Sequence, residues 1–157
     1  MTSDDLARLI EQYRAGLDAE MHLLHQLAQV SERQRTVTSD GDFAAFNNAA
    51  DERDRIMQGL VTLEAGLRDV RQKLTDHRER ASRLPGFDQV VAMHRDAAQL
   101  VSAILSTDKQ SLSSLADAEL ARRSAVAGIE RGETTLAAYR RVLTPPVASA
   151  TLVDRRG

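Results

Sequence analysis

Cysteine is absent from the 157 residues, which excludes disulfides, thiolate metal sites and a cysteine nucleophile. Tryptophan is also absent, and aromatic residues make up 3% of the chain, too few for a thick globular core or for a platform on which nucleic-acid bases stack. No eighteen apolar residues run together, so no membrane insertion is expected. The opening MTSDDLARLI has neither the basic start nor the apolar stretch of a signal peptide. Missing as well are a glycine-rich phosphate loop, a G-x-S-x-G elbow and a Ser/His/Asp constellation. No enzyme, catalytic residue or cofactor is therefore expected. Formal net charge is -2, but it is unevenly placed: residues 1–54 carry eleven acidic against five basic side chains, a balance of -6 that leaves +4 for the rest. Neither part is basic enough for a nucleic-acid footprint. Together these absences suit a cytoplasmic setting.

What the chain does have is heptad patterning. Leu6, Ile10, Tyr13, Leu17, Glu20, Leu24 and Leu27 alternate at spacings of 4 and 3, the 3.5-residue period of a supercoiled helix seam. Ser3 before Asp4 and Asp5 reads as the cap of this helix, expected over about 4–37. TSDGD at 38–42 ends it, with Gly41 free to take the left-handed cap and Asp42 placed to start a second helix over 42–82. That helix's stripe begins at Phe43 and Phe46 and is clearest through Ile56, Leu60, Leu63, Leu67, Val70, Leu74 and His77. RLPGFD at 83–88 closes it, because Pro85 disfavours helix at Leu84 and Gly86 supplies a turn. Asp88 then caps a third helix over 88–143, whose stripe starts Val91, His94, Ala98, Val101, Leu105. The Ser-rich stretch 106–120 is where it could break, with Ser114 and Asp117 restarting it. So short a link as TSDGD forces the first two helices antiparallel. The expected fold class is all-α: an elongated antiparallel helical hairpin with a third long C-terminal helix. Residues 1–143 would form one helical domain and 144–157 a flexible tail.

Three features carry functional expectations. His22 and His25 lie on adjoining positions of one helix face near Glu20, but a zinc site needs a third or fourth ligand, so no metal site is expected. Glu20 interrupts an apolar seam; it either fixes register at some cost in stability or pairs with an arginine of a partner. In the third helix the stripe resumes at Ile129, Gly132, Leu136, Tyr139 and Leu143, with Leu120 and Val126 before it. Asp108, Glu119 and Arg122 stand where a buried seam would be apolar, so this half is expected to be only partly covered.

The segment DERDRIMQGLVTLEAGLRDVRQKL, with Glu52, Arg53, Ile56, Leu60, Leu63, Glu64 and Leu67, resembles the second helix of the FlgN-like flagellar export chaperones. The ending is similar too, a tyrosine after a small-residue helix and a short tail closing in Leu152-Val153-Asp154-Arg155-Arg156-Gly157. The resemblance implies a cytoplasmic chaperone of the flagellar type III export system, holding C-terminal segments of hook–filament junction proteins and delivering them to the export gate. It implies substrate binding towards the C-terminal helix, at Leu120, Val126, Ile129, Leu136 and Leu143 here, and gate docking at Tyr139. The tail's Val147, Leu152 and Val153 would cover the same stripe or join the partner on it. The alternative is a coiled-coil interaction module that homodimerises.

Overall fold

In the computed structural model the chain is all-α, and residues 1–143 are described, except for the side chains of residues 135 and 139–143. Thr2 starts helix α1, Ser3–Ser39, through a reciprocal capping box in which Thr2 Oγ1 accepts from the Asp5 amide at 3.1 Å and the Thr2 amide donates to Asp5 at 2.9 Å. The cap therefore stands one residue before Ser3. A box satisfies two orphan amides where a lone hydroxyl satisfies one.

α1 ends as the link predicts. Gly41 is left-handed at φ 76°, its amide donates to Thr38 O at 3.1 Å, and the Asp42 amide donates to Val37 O at 2.8 Å, a Schellman closure. The Asp42 carboxylate then accepts from the Ala45 amide at 3.0 Å and starts α2, Phe43–Asp76. The helix expected to reach residue 82 stops earlier. His77, at φ -114° and ψ 25°, interrupts it before a single turn, α3, Arg78–Ala81. Gly86, at φ 87°, makes the last turn, and α4 runs Phe87–Leu143. Its first amide bond goes from Val90 to Gly86 O, which places Asp88 inside the first turn rather than at the cap. No break occurs over 106–114.

The described chain forms two compact units, Met1–Ser114 and Leu115–Gly157. In the first, α1 and α2 are antiparallel neighbours, each about 50–55 Å long at 1.5 Å per residue. All the expected α1 seam residues except Glu20 are buried, from Leu6 at 0% to Leu24 at 6% exposure. They divide into two apolar clusters. One gathers Leu6, Ile10, Tyr13 and Leu17 with Leu67, Val70, Leu74 and Val90. The other gathers Leu24, Leu27 and Val30 with Ala49, Ile56 and Ile104. Phe43 is exposed, so the buried stripe of α2 starts at Ala49.

On α4 the expected stripe is one residue out of register. Val90 and Ile104 are buried, and Met93, Ala97 and Leu100 pack against the clusters. Val91, Val101 and Leu105, predicted to face inward, are 48%, 40% and 62% exposed. The two series have the same spacing, and in the second only His94 is not apolar, so period alone does not choose between them. A polar tie chooses instead. Arg53 of α2 grips Asp108 of α4 through two parallel bonds of 2.8 and 2.5 Å and also donates to Ser31 Oγ at 2.9 Å. This half-buried bidentate pair fixes both the register and the helicity of 106–114, where serine propensity alone favours a break.

Candidate functional site

Two surfaces carry chemistry that the core does not use. The first is on α4 in the second unit, where no described side chain is buried. Leu120, Val126, Ile129 and Leu136 are 64%, 41%, 64% and 67% exposed. An α-helix turns about 100° per residue, so Ile129 and Leu136, a heptad apart, lie within about 20° of each other. Val126 is about 60° from Ile129, and Leu120 falls on the opposite side of the helix. The expected stripe thus gathers Val126, Ile129 and Leu136 and leaves Leu120 out. The side chains of Tyr139 and Leu143, and Val147, Leu152 and Val153 of the tail, lie outside the described residues. Glu119 accepts from both Arg122 and Arg123, at 2.8 and 3.0 Å, and these exposed partners hold its carboxyl down at about 2. The two seam-breaking charges are therefore paired along the helix itself.

The second surface is a groove of about 570 Å³ in the first unit, lined from α1 by Leu17, Glu20 and Leu24, from α2 by Leu60, Val61 and Glu64, and from α4 by His94, Ala97 and Val101. Sequence reasoning singled out Glu20 but not the groove, because α4 was placed one residue out of register. Glu20 sits between the two apolar clusters. Its neighbour across the hairpin is another acid: burial, then the hydrogen bond and charge of Glu64, push the Glu20 carboxyl up to about 7. Glu64 moves the other way, to about 2, chiefly because Arg71 donates to it through two bonds, one of them 2.9 Å. Arg71 Nε–H donates to Tyr13 Oη at 3.0 Å, and the guanidinium stands 5.6 Å from the Tyr13 ring centre, within cation–π range. Three of the five Arg71 N–H groups are thereby committed, and its charge opposes the rise at Glu20. Glu20 Oε1 is buried without a hydrogen-bond partner among the described residues.

His22 and His25 are exposed on α1 beside Asp18 and Asp96, and His22 Nε2 lies 3.4 Å from Gln26 Nε2. Among the described residues no three His, Cys, Asp or Glu side chains converge as a metal site, and no helix is long and apolar enough to cross a membrane. Among the described residues the geometry shows an all-α helical protein with an exposed apolar helix face and an acid-bearing groove. No family model, no curated protein and no solved structure matches the chain.

Proposed function

We propose that the chain is a cytoplasmic export chaperone of the FlgN-like kind, binding C-terminal amphipathic segments of flagellar hook–filament junction proteins and handing them to the type III export gate. One observation carries the reading: Ile129 and Leu136 stand exposed on one side of a helix whose described neighbours bury nothing. An apolar stripe without cover suits an amphipathic segment that folds as it binds, because the ordering entropy keeps such an association reversible. The helical hairpin and the resemblance of 51–74 and of the ending support the same reading. Tyr139, beside Arg140 and Arg141, is the proposed gate anchor. A homodimeric coiled-coil module is the second reading, favoured by the same exposed residues, since a second copy would cover them equally well.

Size-exclusion chromatography with light scattering separates the two. The chaperone reading expects a stoichiometric complex with the C-terminal segment of a hook–filament junction protein from the same organism. Ile129→Asp or Leu136→Asp should abolish it, and Tyr139→Ala should leave it intact while weakening capture by the gate's cytoplasmic domain. A tight dimer that ignores the segment and survives deletion of 144–157 refutes the chaperone reading in favour of the interaction module.

A further inference from the structure

A smaller cleft of the first unit, about 260 Å³, opens where α2 breaks and α4 begins. It shares Arg71 and His94 with the Glu20 groove, but no Asp or Glu is among the residues lining it. Leu74, Phe87, Val90 and Val91 make its wall apolar. Leu74 and Val90 are buried in the core, and Val91 is 48% exposed at the rim. Nothing in the proposed export role uses this cleft.

Its polar side chains are donors short of acceptors. Tyr13 lines the cleft and is 5% exposed. Its oxygen accepts from Arg71 Nε–H at 3.0 Å, so its own proton is left over, and no acceptor among the described residues takes it. Arg78, just past the interruption at His77, makes no side-chain hydrogen bond or ion pair among the described residues, and neither does His94. Arg71 is paired with Glu64 and keeps two N–H groups. Around the cleft, residues 71–83 hold Arg71, Lys73, Arg78, Arg80 and Arg83 against Asp76 and Glu79, a field that draws anions.

Donors short of acceptors select a group that only accepts. An ionised carboxylate is such a group, and its two oxygens match a guanidinium fork. One unpaired guanidinium suits one negative charge better than the near-double charge of a phosphate monoester. The apolar wall suits a ligand whose remainder is apolar. We infer that this cleft binds a monocarboxylate with an apolar body, the carboxylate accepting from Arg78 and the Tyr13 hydroxyl and the body resting on Phe87 and Val91. A free organic acid and the C-terminal carboxylate of a chain ending in an apolar residue share that chemistry.

The probes are hydrocinnamate and its neutral amide, titrated into the full chain and followed by backbone-amide NMR. The acid should bind about ten-fold tighter than the amide, the effect of one charge-assisted hydrogen bond. Shifts should centre on Thr75, Arg78, Val91 and His94. Arg78→Gln, at an exposed position, should bring acid and amide within about two-fold of each other. Tyr13→Phe should weaken the acid about three-fold, and Val91→Glu should abolish its binding, with thermal melts showing each variant folded. Ile129→Asp should change nothing, which separates this cleft from the export stripe. A short peptide ending in Phe with a free carboxylate then names the source. Binding tighter than hydrocinnamate assigns the site to a chain end, weaker binding assigns it to a free acid, and either result supports carboxylate recognition. Equal binding of acid and amide, no binding, or shifts centred on Ile129 and Leu136 overturns the proposal. So does an acid affinity left unchanged by either Arg78→Gln or Tyr13→Phe.

Discussion

The two units use helices of similar composition in opposite ways. In Met1–Ser114 a seam of Leu, Ile and Val is covered, and Leu6, Leu17 and Val30 are at most 1% exposed. In 115–143 residues of the same type, Ile129 and Leu136, are about two-thirds exposed. Helix formation in the first unit rests on burial. In the second it rests on local terms: alanines at 116, 118, 121, 125 and 127 and the exposed Glu119–Arg122 and Glu119–Arg123 pairs one turn apart. An isolated helix on such terms is marginal in water. The contrast shows that apolar periodicity marks a helix face, while the presence of a neighbour decides whether that face is core or surface.

The sharpest way to break the contrast is to make the same kind of truncation in each unit. Leu17→Ala should cost about 3 kcal/mol in urea unfolding, as expected of a leucine removed from a closed core. Ile129→Ala should stay within about 0.5 kcal/mol of wild type. Comparable losses would mean that the second unit has a core of its own.

A smaller pair of effects tests how close the hairpin is. A Cβ at Gly16 would lie 2.3 Å from a methyl carbon of Leu67, which is buried, whereas one at Gly66 meets nothing within 4 Å. Gly16→Ala should therefore destabilise by about 1–3 kcal/mol through overpacking. Gly66→Ala should stabilise by about 0.5–1 kcal/mol, because Ala is the better helix former. Thermal melts read both, and a stabilising Gly16→Ala would show that α1 and α2 do not approach so closely there.

The smallest effect concerns pH. Unfolded Glu20 ionises near its ordinary 4.5, while the folded hairpin keeps its proton to about 7. Between those values the folded state holds the extra proton, so this group's contribution to stability falls as pH rises through the window. Glu64, at about 2 in the folded state, opposes it. Its contribution is full above 4.5 and is lost as pH falls towards 2. Glu20→Gln should gain steadily on wild type from pH 5 to pH 8, with a flat difference below 4.5. A difference independent of pH would remove the contact between the two acids.

The seams of α1 and α2, the Gly41 turn, the Asp42 cap and the all-α class were legible in the sequence, because each rests on local chemistry: a 3.5-residue period, a left-handed glycine, a short acidic cap. The third helix was legible only as a helix. Its inward face was not, since Val90-Met93-Ala97-Leu100-Ile104 and Val91-His94-Ala98-Val101-Leu105 have the same spacing and nearly the same apolar character. The exposed Ile129 and Leu136 could be read from the polar residues breaking the seam around them. Leu120 could not be sorted from them without the turn of the helix.

Glu20 marks the boundary most clearly. Sequence alone showed an acid inside an apolar seam and allowed either a register device or a partner's arginine. Only the tertiary structure put Glu64 against it, bound Arg71 to Glu64 and Tyr13, and left one Glu20 oxygen buried without a partner among the described residues. Periodicity is a property of one helix and is written in the chain. Pairing depends on which helices meet and in what register, and a single polar grip, Arg53 on Asp108, decided that for α4.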